Sequence, residues 1–318
     1  MAEDGKQGGG MATLINDSID FRAYMADTDA EHKVRPASAY ADDVVAYFHS
    51  PTGPIGARMP WPKTHAQIRF RPGEVTLVGG INGHGKSLVL GQVTLGLIAQ
   101  QQRVCIASME MRPGMTLARI CRQAFGASSP DPDFIRKFHA GTNRLLWLYD
   151  QQGTVRSAKL LAVIRYCADK LKMQHFVIDS LMKCGMGEDD YNAQKAFLDA
   201  LCSIARDNGL HIYLVAHSRK GRDEYAPPGK MDVKGTGSIT DQVDNVLTVW
   251  RNKQKERDLE EGKHDRSREP DALLICDKQR NGDWEGKVAL WFHAASTQFL
   301  ENGTCGPMDM TGKLEAGL

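Results

Sequence analysis

From Arg71 onward, apolar and polar positions sort into short β-rich runs separated by longer helical stretches. Glu74–Gly79 is a β-rich run ending in glycines, Ser87–Gln102 reads as a helix, and Arg103–Ser108 (RVCIAS) predicts a second strand. A helix over Pro113–Phe125, a strand over Leu145–Tyr149 and a helix over Ser157–Lys172 follow. The pattern continues with strand His175–Asp179 (HFVID), helix Tyr191–Asn208 and strand Leu210–Ala216 (LHIYLVA). Val246–Trp250, Ala272–Cys276 and Lys287–Phe292 complete the set. Mostly apolar strands that alternate with helices predict a parallel sheet buried on both faces. The expected fold class is α/β, a central mostly parallel sheet covered by helices on both faces. Two polar segments interrupt the pattern: Ser218–Thr236, rich in Arg, Lys, Gly and Pro, and the charged Asn252–Asp271.

Before Arg71 the chain reads differently. Residues 1–10 are rich in glycine and charge and predict a disordered leader. In Ser38–His49 (SAYADDVVAYFH), Tyr40, Val44, Tyr47 and Phe48 fall at i, i+4, i+7 and i+8, one face of a helix. Ser50–Gly56 (SPTGPIG) is a Pro/Gly breaker and reads as a linker. The expected organisation is therefore leader, helix and linker over 1–70, a main domain over 71–303, and a tail over 304–318.

Composition adds boundaries. Of 318 residues, 42% are hydrophobic and 25% charged, enough to bury a full core. Lys and Arg number 40 against 39 Asp and Glu, so any polyanion must be held by a local patch or channel. No apolar run approaches a membrane span, and the N-terminus lacks a secretory signal. Seven scattered cysteines without a CxxC pair argue against disulfides or a zinc site. A cytoplasmic protein is expected.

The chemistry is local. Gly80-Ile-Asn82-Gly83-His84-Gly85-Lys86-Ser87 matches G-x-x-x-x-G-K-[ST] between a predicted strand and a predicted helix. Its glycines let backbone N–H groups wrap phosphates, with the positive end of the helix behind them. Lys86 reaches the β- and γ-phosphates of a nucleoside triphosphate such as ATP, and Ser87 holds Mg²⁺. Asp179 ends an apolar strand on the same edge and suits the metal. Glu110, in SMEM after the second strand, suits the attacking water. His217 follows the strand Leu210–Ala216 and suits the γ-phosphate.

These residues resemble one family. RPGEVTLVGGINGHGKS (Arg71–Ser87), SMEM (Ser108–Met111), FVIDSL (Phe176–Leu181), AHSRKGR (Ala216–Arg222), KGTGSITDQVDNVL (Lys234–Leu247) and KQRNG (Lys278–Gly282) occur in the order and spacing of the hexameric replicative DNA helicases. That group is the DnaB family with a RecA-like P-loop motor, and phage helicase–primase and Twinkle motors are similar to it. The resemblance implies that Glu110 is the catalytic acid, Asp179 the Walker B acid and His217 the γ-phosphate sensor. It implies that Lys278 and Arg280 reach the neighbouring subunit's nucleotide, and that Arg251 and Phe292 flank the base. Loops carrying Arg219, Lys220, Arg222, Lys230, Lys234, Gly235 and Gly237 would line a DNA channel. Where the family often carries Gln, this chain has Asp241 followed by Gln242. The implied activity is ATP-driven, ring-forming unwinding of forked DNA by translocation on a single strand, 5'-3' in type, in phage-style replication. A homo-hexamer with a separate primase and polymerase, and no membrane partner, is expected. A RecA/RadA-type recombinase, a nucleotide-gated DNA clamp or loader, and a P-loop kinase are the alternatives.

Overall fold

A computed structural model describes residues 36–49, 55–187, 189–218, 225–229, 232 and 237–315. The chain divides into two compact units, Met1–Pro54 and Ile55–Leu318. In the first, a 3-10 turn (Ala37–Tyr40) leads into helix α1 (Ala41–His49). Asp42 and Asp43 in its first turn complement the positive end of the helix. The predicted leader, residues 1–10, lies outside the described residues.

The second unit is built on a nine-stranded sheet. Six strands are parallel: β3 (Val75–Gly79), β4 (Val104–Ser108), β5 (Leu146–Leu148), β6 (His175–Asp179), β7 (His211–Val215) and β8 (Asn245–Arg251). Then β9 (Ala272–Gln279), β10 (Gly286–His293) and β11 (Gln298–Leu300) continue it antiparallel. The spatial order is β11-β10-β9-β8-β3-β7-β6-β4-β5. A short ribbon, β1 (Ala57–Arg58) with β2 (Arg69–Phe70), precedes it.

Successive strand residues feed two cores. Val104, Ile106 and Val177 join α2 (Lys86–Ile98), α3 (Pro113–Phe125) and α4 (Pro132–Thr142) on one side. Cys105, Ala107, Phe176 and Ile178 join α5 (Ser157–Asp169) and α6 (Tyr191–Asn208) on the other. The period of two along each strand, with apolar residues at both phases, is what draws helices to both faces. Three short helices complete the unit: α7 (Gly237–Gln242), α8 (Lys253–Glu260) and α9 (Thr311–Glu315). Among the described residues no helix is long and apolar enough to cross a membrane.

Local patterning did not mark everything. Helix α4 starts at Asp131, whose carboxylate accepts the Phe134 N–H (2.8 Å), and it buries Phe134 and Phe138. Helix α8 forms inside the charged segment, capped by Asn252, which accepts the Lys255 N–H (3.0 Å). Residues expected to precede the main domain pack into the second unit: Met59, Trp61, Ile68 and Phe70 are all buried, and the Trp61 indole N–H donates to the Phe299 carbonyl (2.7 Å). The expected tail also packs, with Met310 buried and its N–H donating to the Ala124 carbonyl (2.8 Å). Prolines and glycines marked breaks in local structure, but whether the intervening Trp, Met and Phe find a core is a tertiary matter.

Candidate nucleotide site

Strand β3 ends at Gly79, and Gly80–Gly85 turns the chain into α2. Gly80 has φ +147°, and a Cβ there would lie 2.4 Å from the Val249 carbonyl oxygen, so the loop needs glycine at this point. Gly85 caps α2 in the left-handed region without a side-chain bond, which leaves the first N–H groups of the helix open. Lys86 is 6% exposed and curls over its own loop, donating to the carbonyls of Gly80 (2.8 Å) and Ile81 (3.1 Å). Burial pushes its pKa down to about 8, while the charges of Asp179 and Glu110 oppose the fall. An ammonium held this way is poised to exchange two carbonyls for phosphate oxygens. The neighbouring Ser87 hydroxyl donates to Asp179 Oδ2 at 2.7 Å. A hydroxyl and a carboxylate in contact form the hard oxygen pair that suits Mg²⁺.

Because β3, β7, β6 and β4 are adjacent and parallel, their C-terminal ends share one edge. That edge collects Asp179 at the end of β6, Glu110 two residues past β4 and His217 two residues past β7. Glu110 Oε1 accepts the Ser180 hydroxyl (3.0 Å) and stands 3.7 Å from His217 Nε2. Burial raises the Asp179 pKa, with Glu110 adding to the effect and the Ser87 hydroxyl and Lys86 opposing it. Burial, then the Lys86 charge, lowers the His217 pKa, so the ring is neutral at neutral pH. With Asn82, Gly83, Gly85, Lys86 and Ser87 these groups line a cavity of about 1090 Å³. Sequence reasoning missed three residues here. Arg119 and Arg122 reach the cavity from α3, three residues apart on one helix face, and Ser180 touches Glu110.

The remaining expected residues are distributed around this edge. His84 accepts the Arg251 backbone N–H (3.1 Å), and burial, with Lys253 and Lys86 nearby, pushes its pKa down to about 4. The Arg251 guanidinium stacks 4.1 Å from the Phe292 ring centre and bonds Glu256. This pair stands beside the phosphate loop and does not line the main cavity. The Ser218 N–H donates to the Gly80 carbonyl (3.0 Å), which also accepts Lys86, so the segment leaving β7 begins on the phosphate loop itself. Arg219, Lys220, Arg222, Lys230, Lys234 and Gly235 lie outside the described residues, whereas Gly237 opens α7. Gln242 donates to Asp199 (2.8 Å), away from the cavity.

Lys278 and Arg280 are not brought to this edge. Lys278 pairs with Val246, and Val246 with Leu77, so Arg280 lies level with the start of β3. That is roughly 13 Å along the strand from Gly79, at about 3.3 Å per residue. The Lys278 ammonium donates to the carbonyls of Thr240 (2.9 Å), Asp241 (2.8 Å) and Val243 (2.8 Å), closing the C-terminal end of α7. Arg280, its side chain 45% exposed, donates to the carbonyls of Asp241 (3.2 Å) and Gln242 (3.3 Å) and pairs with Asp244 (3.4 Å). Orphan helix carbonyls within reach thus engage both cations.

A glycine cradle at a helix start, a Ser–Asp oxygen pair, a partly exposed Glu and a polar strand end on one parallel edge define a RecA-like P-loop ATPase motor. A model of the DnaB-like helicase C terminal domain matches residues 67–301. The chain therefore belongs to the DnaB-like helicases and is an ATP-hydrolysing replicative DNA helicase. Its fold is similar to a separately solved ATPase domain (TM-score 0.70, 16% identity, covering 84% of this chain and 99% of that one). It is also similar to a DnaB-like replicative helicase solved in a study of its interactions with primase (TM-score 0.66, 16% identity, 84% and 67% covered).

Proposed function

We propose that this chain forms a homo-hexameric ring that hydrolyses Mg-ATP between subunits and translocates on single-stranded DNA, opening a fork in phage-type replication in the host cytoplasm. The observation that carries the reading is the convergence of Lys86, Ser87, Glu110, Asp179 and His217 on one cavity. Lys86 and the open N–H groups of α2 bind and orient the phosphates. Ser87 and Asp179 would hold Mg²⁺, which supplies charge neutralisation on the phosphate oxygens. Glu110 takes a proton from water as its oxygen bonds to the γ-phosphorus; the bridging P–O bond breaks and its electrons leave on ADP. His217 senses the γ-phosphate and passes its state to the basic segment that starts at Ser218. Arg280, and Lys278 once it leaves α7, act on a neighbour's nucleotide. Their distance from their own phosphate loop supports action across an interface, and a permanently charged planar guanidinium suits it. Arg251 and Phe292 sit beside the phosphate loop where a base would stack. Arg219, Lys220, Arg222, Lys234, Gly235 and Gly237 grip the strand, and primase and polymerase are separate partners.

The test is unwinding of a forked duplex with Mg-ATP by wild type, Lys86→Ala and Arg280→Ala. Loss in both variants with an active wild type is the expected result. Wild type that hydrolyses ATP on DNA without separating strands would replace this reading with the clamp or recombinase.

A further inference from the structure

We propose that Ser180 is a positioning residue for hydrolysis: its hydroxyl fixes one oxygen of Glu110 so that the other faces the attacking water. The inference rests on the reading of Glu110 as the group that takes the proton, and it gives Ser180, the residue after Asp179, a role of its own.

Glu110 lies beyond the end of β4 and its side chain is 41% exposed, so nothing in its own element holds it still. A carboxylate on two rotatable methylenes samples many orientations unless something binds it. Ser180 does so. Its Oγ donates to Glu110 Oε1 at 3.0 Å, and Ser180 itself is fully buried. Its backbone is anchored as well, since its carbonyl accepts the Lys183 N–H (3.0 Å) and the Cys184 thiol (3.6 Å) at the 3-10 turn Leu181–Lys183. The Met109 N–H donates to the Asp179 carbonyl (2.9 Å), joining the residue before Glu110 to the residue before Ser180. Parallel pairing of Ser108 with Asp179 sets that alignment. His217 Nε2, at 3.7 Å from the same Oε1, is too far to replace the hydroxyl. Adjacent residues thus divide the work, Asp179 receiving Ser87 and Ser180 holding Glu110.

A general base displaced by a fraction of an ångström loses rate without losing substrate. Ser180→Ala is therefore expected to lower kcat for DNA-stimulated ATP hydrolysis by roughly tenfold or more, with the ATP KM unchanged. Affinity for ADP with Mg²⁺, read by calorimetric titration, is also expected to be unchanged. Ser180→Thr restores the hydroxyl and most of the rate. Ser180→Cys keeps the volume with a weak donor and is slow like the alanine variant, which keeps the test open if Ala unfolds. The separating arm is a double-mutant cycle with Glu110→Gln. If Ser180 acts through Glu110, the double variant is no slower than Glu110→Gln alone. A wild-type kcat in Ser180→Ala beside an inactive Glu110→Gln overturns the role of Ser180 and spares that of Glu110. Additive losses in the double variant, or a rise in KM, also overturn it. Full hydrolysis by Glu110→Gln overturns the reading of Glu110 itself.

Discussion

Lys278 offers the sharpest test of how this fold is held. Its ammonium donates to three carbonyls at the end of α7, a helix of six residues. Helix ends leave their last carbonyls without intrahelical partners. Lys278→Met keeps the stem and removes all three bonds. A hydrogen bond to a charged group contributes about 1.5–3 kcal/mol, but these three share one ammonium and the freed carbonyls are partly open to water. The expected loss is therefore about 2 kcal/mol, close to one such bond, not three. For a domain of this size that is a fall in Tm of about 4–8 °C. Arg280→Ala removes longer bonds from a side chain 45% exposed, and should cost under about 1 kcal/mol. The assay is thermal unfolding of both variants and the double variant, without nucleotide or DNA. A Lys278→Met protein that melts with wild type refutes the clamp, as does an Arg280→Ala loss larger than that of Lys278→Met.

Two further outcomes are expected. Burial pushes the pKa of His211 and of His84 down to about 4, and holds His175 well below the ordinary imidazole value. At these three histidines the unfolded chain therefore binds more protons than the folded one below about pH 6.5, so the stability they contribute is full above that pH and falls as pH drops towards 4. The loss from His211 alone is about 2 kcal/mol by pH 5, measured as urea midpoints at pH 7.5 and 5; equal midpoints would contradict it. Trp61→Ala should lower stability by about 3–5 kcal/mol, because the ring is buried and its N–H bonds the Phe299 carbonyl. A neutral effect in urea unfolding would contradict the packing of Trp61 in the domain core.

The phosphate loop and the strands around it were legible because their signals are local. The run from Gly80 to Ser87 carries the whole cradle, and apolar runs at both strand phases carry the buried sheet. Asp179 and His217 were legible for a related reason: polar residues ending apolar strands on a parallel sheet must share its C-terminal edge. Helix α4 was readable in principle, since Asp131-Pro132 is an N-cap followed by a first-turn proline. The antiparallel strand β11, only three residues long, carries too little pattern to mark.

What the sequence determined by itself was the chemistry of the cradle and the class of the sheet, because both arise from residues close together in the chain. What only the tertiary structure decided was pairing across long separations. Seventy positions divide Ser180 from Glu110, and they meet because β4 and β6 lie side by side with Ser108 opposite Asp179. Lys278 meets the end of α7 because β9 turns back antiparallel on β8. Trp61 reaches Phe299 across 238 positions. A hydroxyl or an ammonium is equally at home in water until packing sets an acceptor beside it and excludes the water, and no local pattern records that event.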